Sequence, residues 1–428
     1  MSKKEQQRLH IIRTAFKVWG ATRFTDMSLT TLAEELALTK PALYRYFKNK
    51  DELMLAMQDR FVADYTRLSE QLVDAEGDQN LEELVHGFVE VMNLFFAEQP
   101  EYAAFFVTQL IGPVGLTRED LGALFRVQHQ RLESAVRRRY PEADPELLAS
   151  TGHFVMFSGV FWSMVGYIDE DLLPLDRHSR ETAAIETSIA RSYHVCMQGL
   201  LVQDAVKTPN FTRVESLSHV GIDGRIESDR ILTAISDVVA EVGLFEATIE
   251  RIAEKVGMSK SSLYFYFKNK DEMLAKMVQR MRMHFFDVLL ARMEQFQSVE
   301  DRLYAFLIVT SAYMLQNPEL LTITHWFRAQ NLEIELDSVT RERAFNAFAF
   351  LQNALNEGQM RAGAHELVTV VSYLNLYVMH DAAFFRPDIS SEPELHRHMR
   401  SIYTLSMGGL EAAAVASSDA AGHEGVIT

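Results

Sequence analysis

Apolar residues recur at intervals of three and four along much of this chain, which is the spacing that predicts α-helices. Near its beginning, Leu9, Ile12, Ala15, Phe16 and Trp19 share one helical face. Helix breakers are few, with 20 glycines and 10 prolines among 428 residues, while leucine, alanine, glutamate and methionine are common. The pattern predicts an all-α protein.

One pattern occurs twice. The heptapeptide Tyr-Phe-Lys-Asn-Lys-Asp-Glu stands at Tyr46–Glu52 and again at Tyr266–Glu272, and each copy closes a similar stretch of about fifty residues. In the second stretch, Ile231, Ile235 and Val238 repeat the apolar spacing of the first helix. Because the copies lie about half a chain apart, they indicate duplication of a whole domain and not a short-period repeat.

A short second helix is predicted in both copies, over residues 29–36 and 249–256, with Ser28 and Thr248 as the N-cap residues. A tight turn follows, at residues 37–38 in the first copy and 257–258 in the second. A third helix then begins after Thr39 or Ser259, either of which can act as its N-cap, and Pro41 stands at its first turn. Together these signals predict a helix-turn-helix.

The third helix has an inward face and an outward face. Leu43 and Phe47, with Leu263 and Phe267 in the second copy, are four residues apart and predict the inward face. The outward face carries Thr39, Lys40, Ala42, Tyr44, Arg45 and Tyr46 in the first copy, and Ser259, Lys260, Ser262, Tyr264, Phe265 and Tyr266 in the second. Such a face fits a DNA major groove, with Lys50 or Lys270 beside it for phosphates. The alternative is a solvated polar face without a ligand.

Charge separates the two copies. The whole chain has a formal net charge of −17, yet DNA binding depends on local charge. Residues 1–57 contain ten lysines and arginines against six acidic residues, whereas residues 225–277 contain eight against nine. We therefore expect the first copy to be the stronger binder of DNA phosphates.

The sequence resembles the TetR family of bacterial transcriptional regulators at these residues. The motifs that carry the resemblance are Leu32-Ala33-Glu34-Glu35-Leu36, Thr39-Lys40-Pro41-Ala42-Leu43-Tyr44-Arg45-Tyr46-Phe47-Lys48-Asn49-Lys50, and, in the second copy, Ile252-Ala253-Glu254-Lys255-Val256 and Ser259-Lys260-Ser261-Ser262-Leu263-Tyr264-Phe265-Tyr266-Phe267-Lys268-Asn269-Lys270. The resemblance covers about a quarter of the chain. It implies DNA contacts from Thr39, Lys40, Ala42, Tyr44, Arg45, Tyr46, Lys50, Ser259, Lys260, Ser262, Tyr264, Tyr266 and Lys270. The second copy departs from the first at Phe265, which replaces Arg45.

The resemblance also implies two helical regulatory bodies, one after each DNA-binding head. We predict the first head at residues 1–53, the first body at 54–206, a polar linker at 207–224, the second head at 225–273, the second body at 274–411 and a disordered tail at 412–428. Family members act as two-fold dimers, so the fusion suggests an intramolecular pseudo-dimer that binds an asymmetric operator. A conventional homodimer with four heads is the alternative.

The bodies offer candidate residues for a small-molecule effector. Residues 153–167 are apolar on nearly every face, so we expect this helix to be buried on several sides. Aromatic residues with few polar groups suit a hydrophobic or aromatic effector. The candidates are Phe105, Phe157, Phe161, Trp162, Trp326, Tyr377 and His380. Dimer contacts and core packing explain the same residues.

Other chemistry is not indicated. The single Cys196 lies in a helical pattern and predicts a buried thiol. His396-Arg397-His398 has no matching set of ligands, so a solvated helix end is favoured over a metal site. No cofactor and no catalytic motif are predicted, and no apolar run approaches the roughly 20 residues that span a bilayer. We expect a cytoplasmic protein.

The sequence thus predicts a ligand-responsive transcriptional regulator, a repressor, that binds operator DNA through two helix-turn-helix units of one chain. The alternative is an interaction protein in which only the first head binds DNA and the second half serves as a dimerisation partner. The operator sequence and the identity of the effector do not follow from the sequence.

Overall fold

The computed structural model describes residues 2–21, 29–72, 79–102, 105, 118–164, 182–202, 205, 207–218, 230–242, 248–317, 338–360, 367–386 and 388–412. They divide into two compact units. Unit 1 holds the described residues up to Leu200 and those from Thr404 onward, and unit 2 holds those between Leu201 and Tyr403. Within the described residues the regular elements are helices, so the all-α prediction is confirmed.

Unit 1 begins with the first head and continues into the first body. Its described helices are α1 (Lys3–Ala21), α2 (Leu29–Glu35), α3 (Lys40–Tyr44), α4 (Lys50–Leu72), α5 (Leu81–Glu98), α6 (Arg118–Arg139), α7 (Pro145–Met164) and α8 (Thr182–Gln198). The head contains α1–α3, and α4 carries the chain from the head into the body without a break. The predicted division between residues 53 and 54 therefore falls inside a continuous helix.

The core of the first head is the one that the apolar spacing predicts. Ile12, Ala15, Phe16 and Trp19 on α1 are each no more than 7% exposed, and they pack with α2 and α4. At the edge of this face Leu9 is half-buried. Burial of these side chains is the main source of the head's stability, since about 0.8 kcal/mol is gained for each buried methylene group.

The first body is organised around α7. Its residues 150–155 and 158–164 are buried among α5, α6 and α8, as predicted from the apolar surface of residues 153–164. Residues 165–167 lie outside the described part of the chain. Among the described helices α7 alone is long and apolar enough to cross a membrane by length and composition, and 89% of that stretch is buried inside the protein. We expected no apolar run of this length, and the burial of α7 fits a core helix.

Unit 2 contains a short helix, the second head and the second body. Its described helices are α9 (Phe211–Leu217), α10 (Arg230–Val242), α11 (Ile249–Val256), α12 (Lys260–Tyr266), α13 (Lys270–Met293), α14 (Val299–Gln316), α15 (Ser338–Asn356), α16 (Leu367–His380), a π-helix (Asp381–Phe385) and α17 (Glu392–Gly408). The residues of α17 from Thr404 onward belong to unit 1. As in the first head, the predicted division at residues 273 and 274 falls inside a continuous helix, α13.

Helix α9 lies within the segment that we expected to be a polar linker. Asn210 caps it by accepting a hydrogen bond from the Arg213 N–H (3.1 Å), and the Asn210 N–H donates to Asp301 Oδ1 (2.8 Å) at the start of α14. Glu215 on α9 receives two hydrogen bonds from Arg400 (2.7 Å each) and one from Tyr304 (2.8 Å). Part of the predicted linker is therefore a packed element of unit 2.

A buried pair of polar side chains joins the π-helix to α17. His398 and Asp381 are 3% and 2% exposed, and His398 Nε2 lies 2.7 Å from Asp381 Oδ2. His396, two residues earlier, is half-buried beside Glu215 (3.9 Å). The expectation of a solvated helix end at residues 396–398 was wrong for His398, because its partner Asp381 lies 17 residues away and gives no local signal.

Two glycines close the helix ends that meet in unit 1. Gly199 follows α8 with φ +70°, and Gly409 follows α17 with φ +64°. The Leu200 N–H donates to the Ser406 carbonyl (2.9 Å), and the Leu410 N–H donates to the Cys196 carbonyl (3.0 Å). The two segments, Met197-Gln198-Gly199-Leu200 and Met407-Gly408-Gly409-Leu410, are also alike in sequence. We call this reciprocal pair of hydrogen bonds the glycine clasp.

Candidate nucleic-acid interface

The turn between the second and third helices has the same form in both heads. Ala37 has φ +51° and Gly257 has φ +76°, and in each case the next residue donates its N–H to a carbonyl of the preceding helix, Leu38 to Ala33 and Met258 to Ala253 (2.8 Å each). This is the left-handed helix ending that glycine favours. In the first head an alanine adopts it, at a cost of about 1 kcal/mol.

The third helix of each head is capped as predicted. Thr39 Oγ1 accepts a hydrogen bond from the Ala42 N–H (3.3 Å), and Ser259 Oγ accepts one from the Ser262 N–H (3.1 Å). Pro41 lies at the first turn of α3, where its missing N–H has no intrahelical partner to lose. Thr248 caps α11 through the Arg251 N–H (3.3 Å), whereas Ser28 lies outside the described residues.

The repeated heptapeptide mainly builds the start of the next helix. In the first head Asn49 Oδ1 accepts from the Glu52 N–H (2.8 Å), and the Glu52 carboxylate accepts from the Lys48 N–H (2.8 Å). The second head repeats both contacts with Asn269, Glu272 and Lys268 (2.8 and 2.6 Å). The identical residues thus fix how the third helix joins α4 or α13, and the positions before them are left to vary.

The inward faces of both third helices are buried as predicted. Leu43 and Phe47 are 0% exposed, and Leu263 and Phe267 are 1% and 8% exposed. Arg8 from α1 covers Phe47, with its guanidinium carbon 4.7 Å from the ring centroid. These anchors hold the opposite face of each helix toward solvent.

The outward face of α3 presents cationic, aromatic and hydroxyl groups together. Thr39, Lys40 and Arg45 are exposed, and Tyr44 is 50% exposed. Tyr46 and Ala42 are half-buried. Lys50 is exposed at the start of α4, with its ammonium 6.0 Å from the Trp19 ring centroid. The structure therefore brings all seven predicted residues of the first head to one end of the head.

On the outward face of α12, several polar side chains contact each other or the preceding helix. Lys260 forms an ion pair with Glu250 of α11 and lies over the Tyr264 ring (5.7 Å to its centroid). A hydrogen bond from the Lys260 ammonium lowers the pKa of Glu250, and the same contact raises the pKa of Lys260. Ser259 Oγ and Ser262 Oγ are hydrogen-bonded to each other (2.8 Å). Lys260, Ser259 and Ser262 thus each have a partner within the head.

Two aromatic rings of α12 are exposed to solvent. Phe265 is 87% exposed and Tyr264 is 44% exposed. The side chains of Tyr266 and Lys270 lie outside the described part of the structure. The predicted contacts of the second head that the structure describes are therefore Ser259, Lys260, Ser262 and Tyr264.

Glu250 was missed by the sequence predictions. Its counterpart in the first head is Thr30, and within the described residues no carboxylate pairs with Lys40. A residue-by-residue alignment of the two copies contains the signal, because a neutral residue in one copy is an acid in the other. The sequences of the third helices alone give no sign of this acid, because Glu250 belongs to the preceding helix.

Four of the predicted effector residues belong to unit 1. In unit 1, Phe105 is buried against Phe16 (4.9 Å) and Trp19 (6.1 Å) of α1. On α7, Phe157 stacks on Phe161 (6.2 Å), and Phe161 contacts Trp162 (5.4 Å).

Two further candidates lie in unit 2, where Tyr377 is buried against Tyr373 (6.1 Å between centroids) and His380 lies 5.6 Å from Phe385. Trp326 lies outside the described residues. The six candidates that the structure describes each contact a neighbouring aromatic ring within their own unit. Cys196 is fully buried, which raises the pKa of its thiol, as expected for a structural cysteine.

A buried polar network lies where the first head meets the first body. Asp64 on α4 is 4% exposed and accepts two hydrogen bonds from Arg60 (2.7 and 2.6 Å) and one from the Tyr102 hydroxyl (2.8 Å). Tyr102 also contacts Phe16 of α1 (4.6 Å between centroids). The network connects the helix that enters the body to the first helix of the head.

These features define the class of protein: a chain with two helix-turn-helix heads, each joined by one long helix to a helical body. Residues 11–57 and 231–277 both match the sequence profile of the bacterial regulatory proteins of the tetR family. The chain is built from two tandem TetR-like units.

Two characterised relatives are transcriptional regulators by name. The "Fatty acid metabolism regulator protein" of Bacillus subtilis (strain 168) is 23% identical over 129 residues, which cover 30% of this chain and 66% of the relative. The "Biofilm operon icaADBC HTH-type negative transcriptional regulator IcaR" of Staphylococcus epidermidis is 33% identical over 79 residues, covering 18% of this chain and 42% of the relative. The chain spans less than two thirds of the length of either relative.

Two solved structures of regulators also align with part of this chain. The TetR family transcriptional regulator PfmR from Thermus thermophilus shares 20% identity with a TM-score of 0.35, and the fatty acid degradation regulator FadR from Bacillus halodurans shares 19% with the same score. Each alignment covers 44% of this chain and 98% of the other chain.

Proposed function

We propose that this protein is a ligand-responsive transcriptional regulator, a repressor, that binds operator DNA through two heads of one chain. The observation that carries the proposal is the outward face of α3, where Lys40, Tyr44 and Arg45 stand together on a capped and anchored helix. A short helix of this kind places its side chains against base edges in a major groove, while nearby cations bind phosphates. The proposal assigns a binding role and no catalytic role, in the cytoplasm.

Arg45 and the two lysines of the first head are expected to contact different parts of the DNA. Arg45 has the guanidinium geometry that suits the O6 and N7 atoms of guanine. Lys40 and Lys50 supply charge to the phosphates, which gives affinity without sequence information. Repression is supported by the relative from Staphylococcus epidermidis, whose name describes a negative transcriptional regulator.

The proposal is tested by measuring DNA binding after selection of duplexes from a random library. Arg45→Ala is expected to weaken binding to the selected duplex by about fivefold to a hundredfold, because one bidentate contact is worth about 1–3 kcal/mol. Arg137→Ala is the matched control, since it removes an exposed arginine from α6 in the body. Failure to enrich any duplex, or equal losses in both variants, contradicts the proposal.

The effector is proposed to be a hydrophobic molecule that binds a body and changes the presentation of its head. Support comes from the aromatic content of the bodies and from the relative that is named a regulator of fatty acid metabolism. In the first unit, the unbroken helix α4 and the Asp64 network provide the physical connection. A ligand acts through this connection only as far as it binds one arrangement more tightly than the other.

The effector proposal is tested with a panel of fatty acids and acyl-coenzyme A esters. We expect at least one of them to raise the melting temperature and to release the selected duplex. Tyr102→Phe, which removes one hydrogen bond to Asp64, is expected to leave ligand binding intact and to reduce the release. No thermal shift from any member contradicts an acyl effector and leaves DNA binding unaffected.

A second candidate function has a specific observation in its favour. Because Lys260 is paired with Glu250, the second head has less available positive charge than the first, which is consistent with an interaction protein whose first head alone binds DNA. Triple alanine substitution at Lys260, Tyr264 and Ser262 separates the two possibilities. Unchanged affinity for the selected duplex supports the single-head alternative.

A further inference from the structure

We propose that Phe265 is the specificity-determining residue of the second head and that it reads the methyl group of a thymine in the major groove. This inference rests on the proposed function and deepens it, because it assigns a base chemistry to each head: guanine to the first and thymine to the second. The heads then require two unlike half-sites.

The position of Phe265 on its helix supports this assignment. Phe265 corresponds to Arg45, and the two helices share their N-cap contact and their two buried anchors, so both residues project from the same place on the head. At that place Arg45 is exposed and Phe265 is 87% exposed. An exposed phenyl ring at the centre of a reading face is therefore a replacement of one reading group by another.

The chemistry of the major groove selects the ligand. A phenyl ring has neither donor nor acceptor for the polar atoms of guanine, cytosine or adenine edges. The C5-methyl group of thymine is the apolar feature of these edges, and phenylalanine is among the residues that contact it. Burial of a methyl group against the ring is worth about 0.8 kcal/mol, or about a fourfold change in affinity.

The surrounding polar groups strengthen the assignment. Ser259 and Ser262 bond to each other, and Lys260 is held by Glu250, so these side chains are partly engaged before DNA arrives. The same face presents two exposed aromatic rings, Tyr264 at 44% and Phe265 at 87% exposure. A base edge with an apolar group fits this face better than one with only polar groups.

The decisive experiment changes one methyl group at a time. The full chain is used to select a duplex from a random library, and each thymine in the footprint is then replaced by uracil, which keeps the hydrogen-bonding edge and removes the methyl. We expect one or two thymines in one half-site whose replacement weakens wild-type binding about threefold to tenfold. Phe265→Ala should bind weakly and be insensitive to the same replacement.

Two further variants test whether the effect belongs to the ring at position 265. Phe265→Arg is expected to shift the preferred base at that position from thymine to guanine, because it restores the residue of the first head. Phe345→Ala is the matched control, since it removes an equally apolar ring, 60% exposed, from α15 in the second body. It should keep both the affinity and the uracil sensitivity of the wild type.

The outcomes separate this inference from the proposed function. Wild-type binding that is insensitive to uracil at every thymine overturns the role of Phe265 and leaves DNA binding by the first head standing. If Phe265→Ala keeps full DNA affinity but changes the oligomeric mass of the protein without DNA, the thymine assignment is overturned. Phe265 would then contact a second copy of the protein. If no duplex is enriched, the proposed function fails and the inference fails with it.

Discussion

Lys40 and Lys260 occupy equivalent positions, yet each has a different neighbour on the preceding helix. Thr30 stands where Glu250 stands in the second head, and the difference of one residue decides whether the lysine is already paired with that helix. The Glu250–Lys260 pair is exposed, so it contributes little to stability. If the second head binds DNA as proposed, the main effect of the pair is on DNA affinity, since a phosphate must compete with the carboxylate for the ammonium.

Glu250→Thr is therefore expected to strengthen DNA binding. The substitution introduces the residue of the first head and releases Lys260 for one phosphate, so the dependence of log K on log salt should become steeper by about one unit. Fluorescence anisotropy over a range of salt concentrations measures both effects. The reverse change, Thr30→Glu, should weaken binding and flatten the slope; a slope that is unchanged in both variants argues against the competition.

The backbone at Ala37 gives a second prediction at the residue scale. Ala37→Gly should stabilise the first head by about 0.5–1 kcal/mol, because glycine adopts a positive φ without steric cost. Gly257→Ala places the same strain in the second head and should destabilise it by a similar amount. Urea-unfolding midpoints of the full chain measure the pair, and a loss of stability in Ala37→Gly contradicts the strain at this turn.

At the scale of elements, the glycine clasp is a place where two helix ends approach closely in unit 1. A Cβ atom on Gly199 would lie 2.4 Å from the Met407 backbone, and one on Gly409 would lie 2.4 Å from the Gln198 backbone. The atoms that an added Cβ would meet belong to the backbone, so no flexible side chain can move away to relieve the clash. The reciprocal hydrogen bonds of Leu200 and Leu410 depend on this close approach.

Alanine substitutions test the clasp against a matched control. Gly199→Ala and Gly409→Ala should each lower the free energy of unfolding by about 1 kcal/mol, because alanine disfavours the left-handed backbone. The steric clash should lower it by roughly 1–3 kcal/mol more. Gly358 also has a positive φ (+69°), but a Cβ atom added there would meet nothing within 4 Å. Gly358→Ala should therefore lose only the stability that the left-handed backbone costs. Thermal unfolding of the three variants measures this ranking, and equal losses contradict the clasp.

The features that the sequence predicted correctly are local. Helical periodicity placed Leu43, Phe47, Leu263 and Phe267 in the core, and short-range capping signals placed Thr39 and Ser259 at helix starts. The signals behind these predictions join residues that are about four positions apart or fewer. They account for most of the described structure of the heads.

The features that the sequence did not predict depend on distant partners. His398 is buried because Asp381 is beside it, and α9 is held by Arg400 and Tyr304, which lie 185 and 89 residues away from Glu215. A charged or polar residue that is paired in this way has the same local pattern as a solvated one. The structure describes where most of the proposed DNA contacts, and Phe265, lie on the heads. Their role in DNA binding stays a prediction.

At the scale of the whole molecule, we propose that two heads in one chain remove the concentration dependence of dimerisation and allow the heads to diverge. We expect one chain per particle in solution, as an intramolecular pseudo-dimer. Light scattering at several concentrations should give a constant mass near 48.8 kDa. A mass twice as large that persists on dilution indicates a homodimer with four heads.

The mass of the DNA complex tests most directly whether one chain supplies both heads. Native mass spectrometry on the selected duplex should show one chain per duplex, and a duplex with either half-site scrambled should bind more weakly while keeping that ratio. The two half-sites should lie about one helical turn, roughly 34 Å, apart. Two chains on one intact duplex, or full affinity after the second half-site is scrambled, would contradict DNA recognition by both heads of a single chain.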